Sequence, residues 1–199
     1  MDARVNEDRW ERLLRLLGPI HGQAAGTARR LSRSADEGDD LYQESVLRAY
    51  ERLHDLRDES KFRSWFFATL LSLHRSRRRQ ARRGTVSLEE AWNRGGEPAG
   101  EDGSAWAEAL ERADRAARAL NGLAPVQREA VVLHEIEGFS VEEVAAMQGV
   151  TISAVKSRLV RGREKLGQFY ERDLKSARIP GLRRETEPAR GLAPEGDIR

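Results

Sequence analysis

Residues 151–166, TISAVKSRLVRGREKL, carry side chains suited to contacting a polyanion. At about 100° per residue in a helix, Ile152, Val155, Leu159 and Leu166 fall on one side, and Ser153, Lys156, Ser157, Val160 and Arg161 on the other. Lysine and arginine donate to guanine acceptors or phosphates, a small serine lets the backbone approach, and a single valine suits a thymine methyl. This face has what a helix needs in a DNA major groove. Arg158, at the flank, suits a phosphate contact. The bland alternative is a solvated basic hairpin, which does not account for two complementary faces coinciding with a cap and a turn glycine.

That cap and turn come from FSVEEVAAMQGV, residues 139–150. Ser140 caps a first helix that buries Val141, Val144 and Ala145, Gly149 supplies the turn, and Thr151 caps the second helix: a helix-turn-helix. Upstream, Pro125 occupies a first-turn position of a helix over about Val126–Glu137, closed by Gly138. Before it, Trp106, Leu110, Ala113, Ala117 and Leu120 recur at helical spacing until Asn121-Gly122.

A second basic stretch is HRSRRRQARR, residues 74–83, with arginine at six of ten positions. It can follow a nucleic-acid backbone or serve as a solubilising helix end. It continues a helix in which Phe62, Trp65, Phe66, Thr69, Leu70 and Leu73 form a stripe, with Ser60 as N-cap; such an aromatic stripe is a core-packing pattern. A preceding helix from Asp39 carries Leu41, Val46, Ala49, Tyr50, Leu53 and Leu56 inward. Asp39 and Asp40 in its first turn serve as cap and dipole partners worth about 1 kcal/mol. Trp10, Leu13, Leu14 and Leu17 predict a short helix stopping at Gly18-Pro19, and another follows to about Ser32.

These elements imply an all-α chain of two small helical domains, residues 8–83 and 105–172, joined by a flexible Gly-rich linker over 84–104 and followed by a disordered tail over 173–199. With 35 basic and 33 acidic residues the net charge is only +2, so polyanion binding must come from local clusters. There is no cysteine, which fits a reducing compartment, the cytoplasm by default. No apolar run reaches the roughly 18 residues of a membrane span, and the charged start MDARVNEDRWERLL is unlike a signal peptide. The four histidines, His21, His54, His74 and His134, lack metal-ligand spacing, and neither a phosphate-cradling loop nor a nucleophile elbow is present. The expectation is a chain that is not an enzyme and holds neither metal nor cofactor.

Residues 123–166, LAPVQREAVVLHEIEGFSVEEVAAMQGVTISAVKSRLVRGREKL, resemble the C-terminal promoter-binding domain of bacterial sigma factors of the extracytoplasmic-function group. Residues 39–83 resemble the group's other domain, which binds core RNA polymerase and the minus-10 element. The resemblance implies that Ser153, Lys156, Ser157, Arg158, Val160 and Arg161 read minus-35 duplex DNA. It implies minus-10 recognition and melting by Arg57, Lys61, Phe62, Arg63, Trp65, Ser72, Arg75 and Arg79, with a flipped base received by the loop of residues 54–61. Asp39, Asp40, Gln43, Glu44 and Arg48 would dock on the polymerase clamp. Implied partners are core RNA polymerase, promoter DNA and an anti-sigma factor, with no membrane insertion. The linker would thread toward the polymerase active-site and RNA-exit channels. This chain departs from the group's pattern at Ser72 and Ser76, where asparagine and aspartate are common, at Ser153 to Val155 (SAV for GTV), and at Gly162 for alanine, a loss of about 1 kcal/mol of helix propensity. A stand-alone helix-turn-helix regulator is the alternative reading.

Overall fold

The computed structural model describes residues 3–83 and 103–178, and among them the regular elements are all helical. Residues 84–102 of the expected linker and 179–199 of the expected tail lie outside the described residues. Residues 103–104 and 173–178, assigned from the sequence to linker and tail, are helical.

The N-terminal unit comprises α1 (Ala3–Leu17), α2 (His21–Leu31), α3 (Ala35–Arg52) and α4 (Phe62–Arg83). Two of its start signals differ from the sequence reading. Helix α3 begins four residues before Asp39, because Ser34 accepts the Glu37 backbone N–H (3.2 Å) and Asp36 and Glu37 fill the first turn. Asp39 and Asp40 therefore lie a turn inside the helix. Ahead of α4, Asp58 caps a short 3-10 turn, Glu59–Lys61, in which Ser60, the expected cap, is an interior residue: the Asp58 carboxylate accepts the Ser60 backbone N–H at 3.0 Å and the Ser60 hydroxyl at 2.6 Å. The core includes Leu13, Leu17, Leu31, Leu41, Ala49, Leu53, Phe66 and Leu70. Leu14, on the expected α1 stripe, is 60% exposed.

The C-terminal unit comprises α5 (Gly103–Asn121), α6 (Pro125–Val131), α7 (Val141–Gln148) and α8 (Ile152–Arg178), with a π-helical turn, Val132–Ile136, extending α6. Gly149 has φ +62°, a left-handed conformation that lets the Val150 N–H return to the Ala145 carbonyl at 3.0 Å. Helices α6 and α8 touch at Gly162, where a Cβ would stand 2.7 Å from Val131 Cγ2.

The two units are docked on each other. Phe67, one position off the expected α4 stripe, is fully buried and meets Phe139 of the C-terminal unit edge-on at 5.0 Å. The buried apolar cluster runs without a break from Leu13 to Leu159. Helix α4 thus has a second buried face, carrying Phe67 and Leu71, which the sequence reading did not assign.

Candidate nucleic-acid interface

Ser140 and Glu143 form a reciprocal capping box that fixes α7: Ser140 Oγ accepts the Glu143 N–H (3.1 Å) and Glu143 accepts the Ser140 N–H (2.9 Å). The Ser140 backbone hydrogen bond, helped by the Ser64 hydroxyl, holds the Glu143 carboxyl below its usual range. Thr151 Oγ1 accepts the Ala154 N–H (3.2 Å) and starts α8. Val155 and Leu159 are then buried against the rest of the unit, while Ser153, Lys156, Ser157, Val160 and Arg161 face solvent together. Val160 is 51% exposed, an apolar side chain outside the buried cluster. Two side chains depart from the sequence expectation. Ile152, assigned inward, is 41% exposed, since the first residue of α8 lies at the rim of the helix pair. Arg158 turns back to donate to Gln148 Oε1 instead of pointing outward.

In the N-terminal unit, Asp55, Arg57, Asp58, Lys61 and Trp65 line an open cleft of about 570 Å³ at the loop between α3 and α4. Arg57 and Lys61 are exposed, Trp65 is half-buried, and Phe62 is only 3% exposed, packed against Trp65 and Phe66 with centroids at 5.9 and 5.8 Å. Phe62 thus supports the cleft from beneath. The Ser60 hydroxyl and N–H hold the Asp58 carboxyl below its ordinary pKa. Glu59, gripped by Arg15 and Arg12, is lowered as well. One wall belongs to the other unit: Glu143 lines the cleft and accepts a hydrogen bond from Ser64 Oγ at 2.9 Å.

Much of the arginine run is neither in solvent nor free for a polyanion. Arg75 donates to Glu129 Oε2 from Nε (3.0 Å) and Nη2 (2.6 Å), and from Nη1 to the Gln148 carbonyl (3.0 Å). Arg78 reaches Glu129 Oε1 at 3.3 Å. Glu129 is completely buried, so a carboxylate of α6 is neutralised by two guanidinium groups of α4. Burial pushes the pKa of neighbouring His74 down, with Arg78, Arg128 and Arg75 in the same direction and Glu129 opposing. Arg63 stacks over Phe139, 3.9 Å from the ring centroid, and donates to the Glu137 carbonyl. The Glu137 side chain accepts from Thr27 (2.6 Å) and Arg30 (3.2 Å). Ser72 and Arg79 remain exposed.

On α3, Asp39 pairs with Arg29 (2.7 Å), Glu44 with Arg77 (2.6 Å) and Arg48 with Glu51 (3.6 Å), while Asp40 and Gln43 are exposed. The sequence reading passed over Leu47, 56% exposed on the same helix; its signal was that it falls outside the apolar stripe. Among the described residues, no group of three or more His, Asp or Glu side chains is arranged to hold a metal, and no helix is long and apolar enough to cross a membrane.

Comparison with known proteins matches residues 16–84 to sigma-70 region 2 and residues 113–166 to sigma-70 region 4. The chain is 36% identical over 145 residues to the ECF RNA polymerase sigma factor EcfG of Rhodopseudomonas palustris, covering 68% of this chain and 72% of that protein. It is 35% identical over 161 residues to the RNA polymerase sigma factor CnrH of Cupriavidus metallidurans, covering 77% and 84%. Among solved structures it resembles the sigma factor RpoE in complex with the anti-sigma factor NepR from Bartonella quintana (28% identity, TM-score 0.60, 83% of this chain and 98% of that one). It also resembles CnrH in complex with the cytosolic domain of CnrY (27% identity, TM-score 0.61, 86% and 95%).

Proposed function

The chain belongs to the extracytoplasmic-function sigma factors of the sigma-70 family, and from that premise we propose how its residues divide the work of directing core RNA polymerase to promoters. The exposed face of α8, with Ser153, Lys156, Ser157, Val160 and Arg161, reads the minus-35 duplex in the major groove. Arg158 joins as a phosphate contact if it releases Gln148. The α3–α4 cleft receives an unstacked base of the minus-10 element against Trp65, with Arg57 and Lys61 meeting the backbone; extruding a base costs a few kcal/mol, which a preformed pocket offsets. Arg63, Ser72, Arg75 and Arg79 extend the track of melted DNA along α4. Asp39, Asp40, Gln43, Glu44 and Arg48, joined by Leu47, form the polymerase-docking face of α3. The chemistry of nucleotide addition stays with the polymerase, so the chain is a non-catalytic factor acting where the polymerase is, in the cytoplasm.

The docked arrangement is a stored form in this reading. Elements named for positions 25 base pairs apart are separated by about 85 Å at roughly 3.4 Å per step. A compact helical body of this size has a radius of gyration of about 15 Å, too small to reach both. The chain between Arg83 and Gly103, residues 84–102, spans at most about 65 Å when extended, which suffices once the units part. An anti-sigma factor that favours the docked form would keep the chain inactive.

The observation that carries the reading is the coincidence, in one chain, of a solvent-facing Lys/Ser/Val/Arg helix surface and a separate cleft with a tryptophan wall and cationic rim. Run-off transcription with core polymerase over a pool of genomic fragments tests it. Promoter-specific transcripts that require this chain support it, whereas DNA footprints without transcripts favour the stand-alone regulator.

A further inference from the structure

We propose that the cleft between the α2–α3 turn, the C-terminal half of α4 and the start of α6 is a binding site for a small phosphorylated anion, held jointly by the two units. The cavity measures about 310 Å³ and is lined by Arg33, His74, Arg77, Arg78 and Arg128, with Glu37 as its carboxylate. At about 30 Å³ per water, that volume admits one or two phosphate groups with some of their hydration.

The charges around this cavity do not balance. Arg77 is paired with Glu44 at 2.6 Å and Arg78 with Glu129 at 3.3 Å. Glu37 already accepts the Arg33 backbone N–H at 3.1 Å. Among the described residues, Arg33 and Arg128 have no carboxylate within ion-pair distance, and Arg33 acts on Arg128 as a like charge. Burial, then Arg33 and Arg78, push the Arg128 pKa down. Arg128 Nη1 donates to the carbonyls of Leu31 (3.3 Å) and Ser32 (3.5 Å), but its Nε is buried with no partner.

Two guanidinium groups that line one cleft without a carboxylate partner, Arg33 and Arg128, call for an acceptor with several oxygens and more than one negative charge. Planar guanidinium forks fit phosphate oxygens two at a time. Neutral His74, its pKa already lowered, can still donate one ring N–H to such a group. Arg33, Arg77 and Arg78 come from the N-terminal unit and Arg128 from the C-terminal unit, so the complete site exists only when the units are docked. A ligand here stabilises the docked form by mass action.

Isothermal titration of the full-length chain with pyrophosphate, and with malonate as a phosphate-free dianion, tests the proposal. The expected result is saturable one-site binding of pyrophosphate, at least roughly tenfold weaker for malonate and, with each charge-assisted contact removed, for Arg33→Ala and Arg128→Gln. Arg128→Gln can disturb docking through its carbonyl contacts. Arg33→Ala removes an exposed side chain with no described partner and leaves the fold intact. Absence of saturable pyrophosphate binding, equal binding of malonate, or unchanged affinity in Arg33→Ala overturns the proposal. So does a short DNA duplex that binds through Arg33 and Arg128 where pyrophosphate does not, which would make the cleft a nucleic-acid contact.

Discussion

Glu129→Gln weakens one of the contacts that join the two units, the buried one made to Arg75 and Arg78. The carboxylate is completely buried and takes two hydrogen bonds from Arg75 and one from Arg78. Removing one partner of a buried pair strands the others at about 3–5 kcal/mol. Arg75 and Arg78 keep 21% and 27% side-chain exposure, and the glutamine oxygen still accepts, so the cost here is about 2–3 kcal/mol. At 1.36 kcal/mol per tenfold, the docking equilibrium shifts about 30- to 150-fold toward separated units. The chain has no cysteine, so single cysteines at exposed Glu11 and Gln168 carry a donor and an acceptor dye cleanly. Energy transfer should fall in Glu129→Gln while far-UV circular dichroism keeps its helical signal. Unchanged transfer would refute a role for the Glu129 contact in docking. Loss of helical signal would mean that Glu129 supports the C-terminal fold itself rather than docking.

His74 makes docking sensitive to acid. Its pKa is lowered in the docked form by burial and returns toward about 6.5 when exposed, so separated units bind the proton more tightly. The contribution of this group to docking is therefore full above about pH 6.5 and declines as pH falls below it. Energy transfer between the same dyes should drop from pH 7.5 to 5.5, and His74→Gln should flatten that slope; stronger docking in acid would contradict the assignment. Gly162→Ala gains up to about 1 kcal/mol of helix propensity but drives a Cβ to 2.7 Å from Val131 Cγ2. Overpacking costs about 1–3 kcal/mol, so thermal melting should show a lower midpoint, and a higher one would mean that α6 and α8 have room to spare. Lys156→Ala and Arg161→Ala should each weaken minus-35 duplex binding by about 1–3 kcal/mol where a base contact is lost, or reduce the salt slope by about 0.9 where a phosphate is. Full affinity in both variants by fluorescence anisotropy would exclude this face.

The helix-turn-helix was legible because its signals are local. Ser140, Gly149 and Thr151 act within a few residues of themselves, and in the structure Ser140 and Thr151 cap their helices while Gly149 makes the left-handed turn between them. The docking was not legible, because its determinants are distant in the chain. Glu129 reads as one more charge in PVQREAV, and only Arg75 and Arg78, more than fifty residues earlier, make it a buried one. The arginine run likewise offered two solvent-based readings, and Glu129 and Glu44 supply a third. Phe67 did carry a signal: FRSWFFATLLSL places Phe67 and Leu71 beside the Phe66 and Leu70 stripe, a wider apolar arc than one interface needs, and both are buried. The start of α3 was misplaced because Asp39-Asp40 imitates a first turn that Ser34, Asp36 and Glu37 already supply.

The proposed sigma factor is stored with its units docked and works with them apart. Dye-labelled full-length protein mixed with core RNA polymerase measures this directly. Energy transfer between Glu11→Cys and Gln168→Cys should fall as the complex forms and stay low when promoter DNA is added. Transfer that remains at its free-chain value in a transcribing complex would contradict the separation of the two units and the role assigned to their contacts.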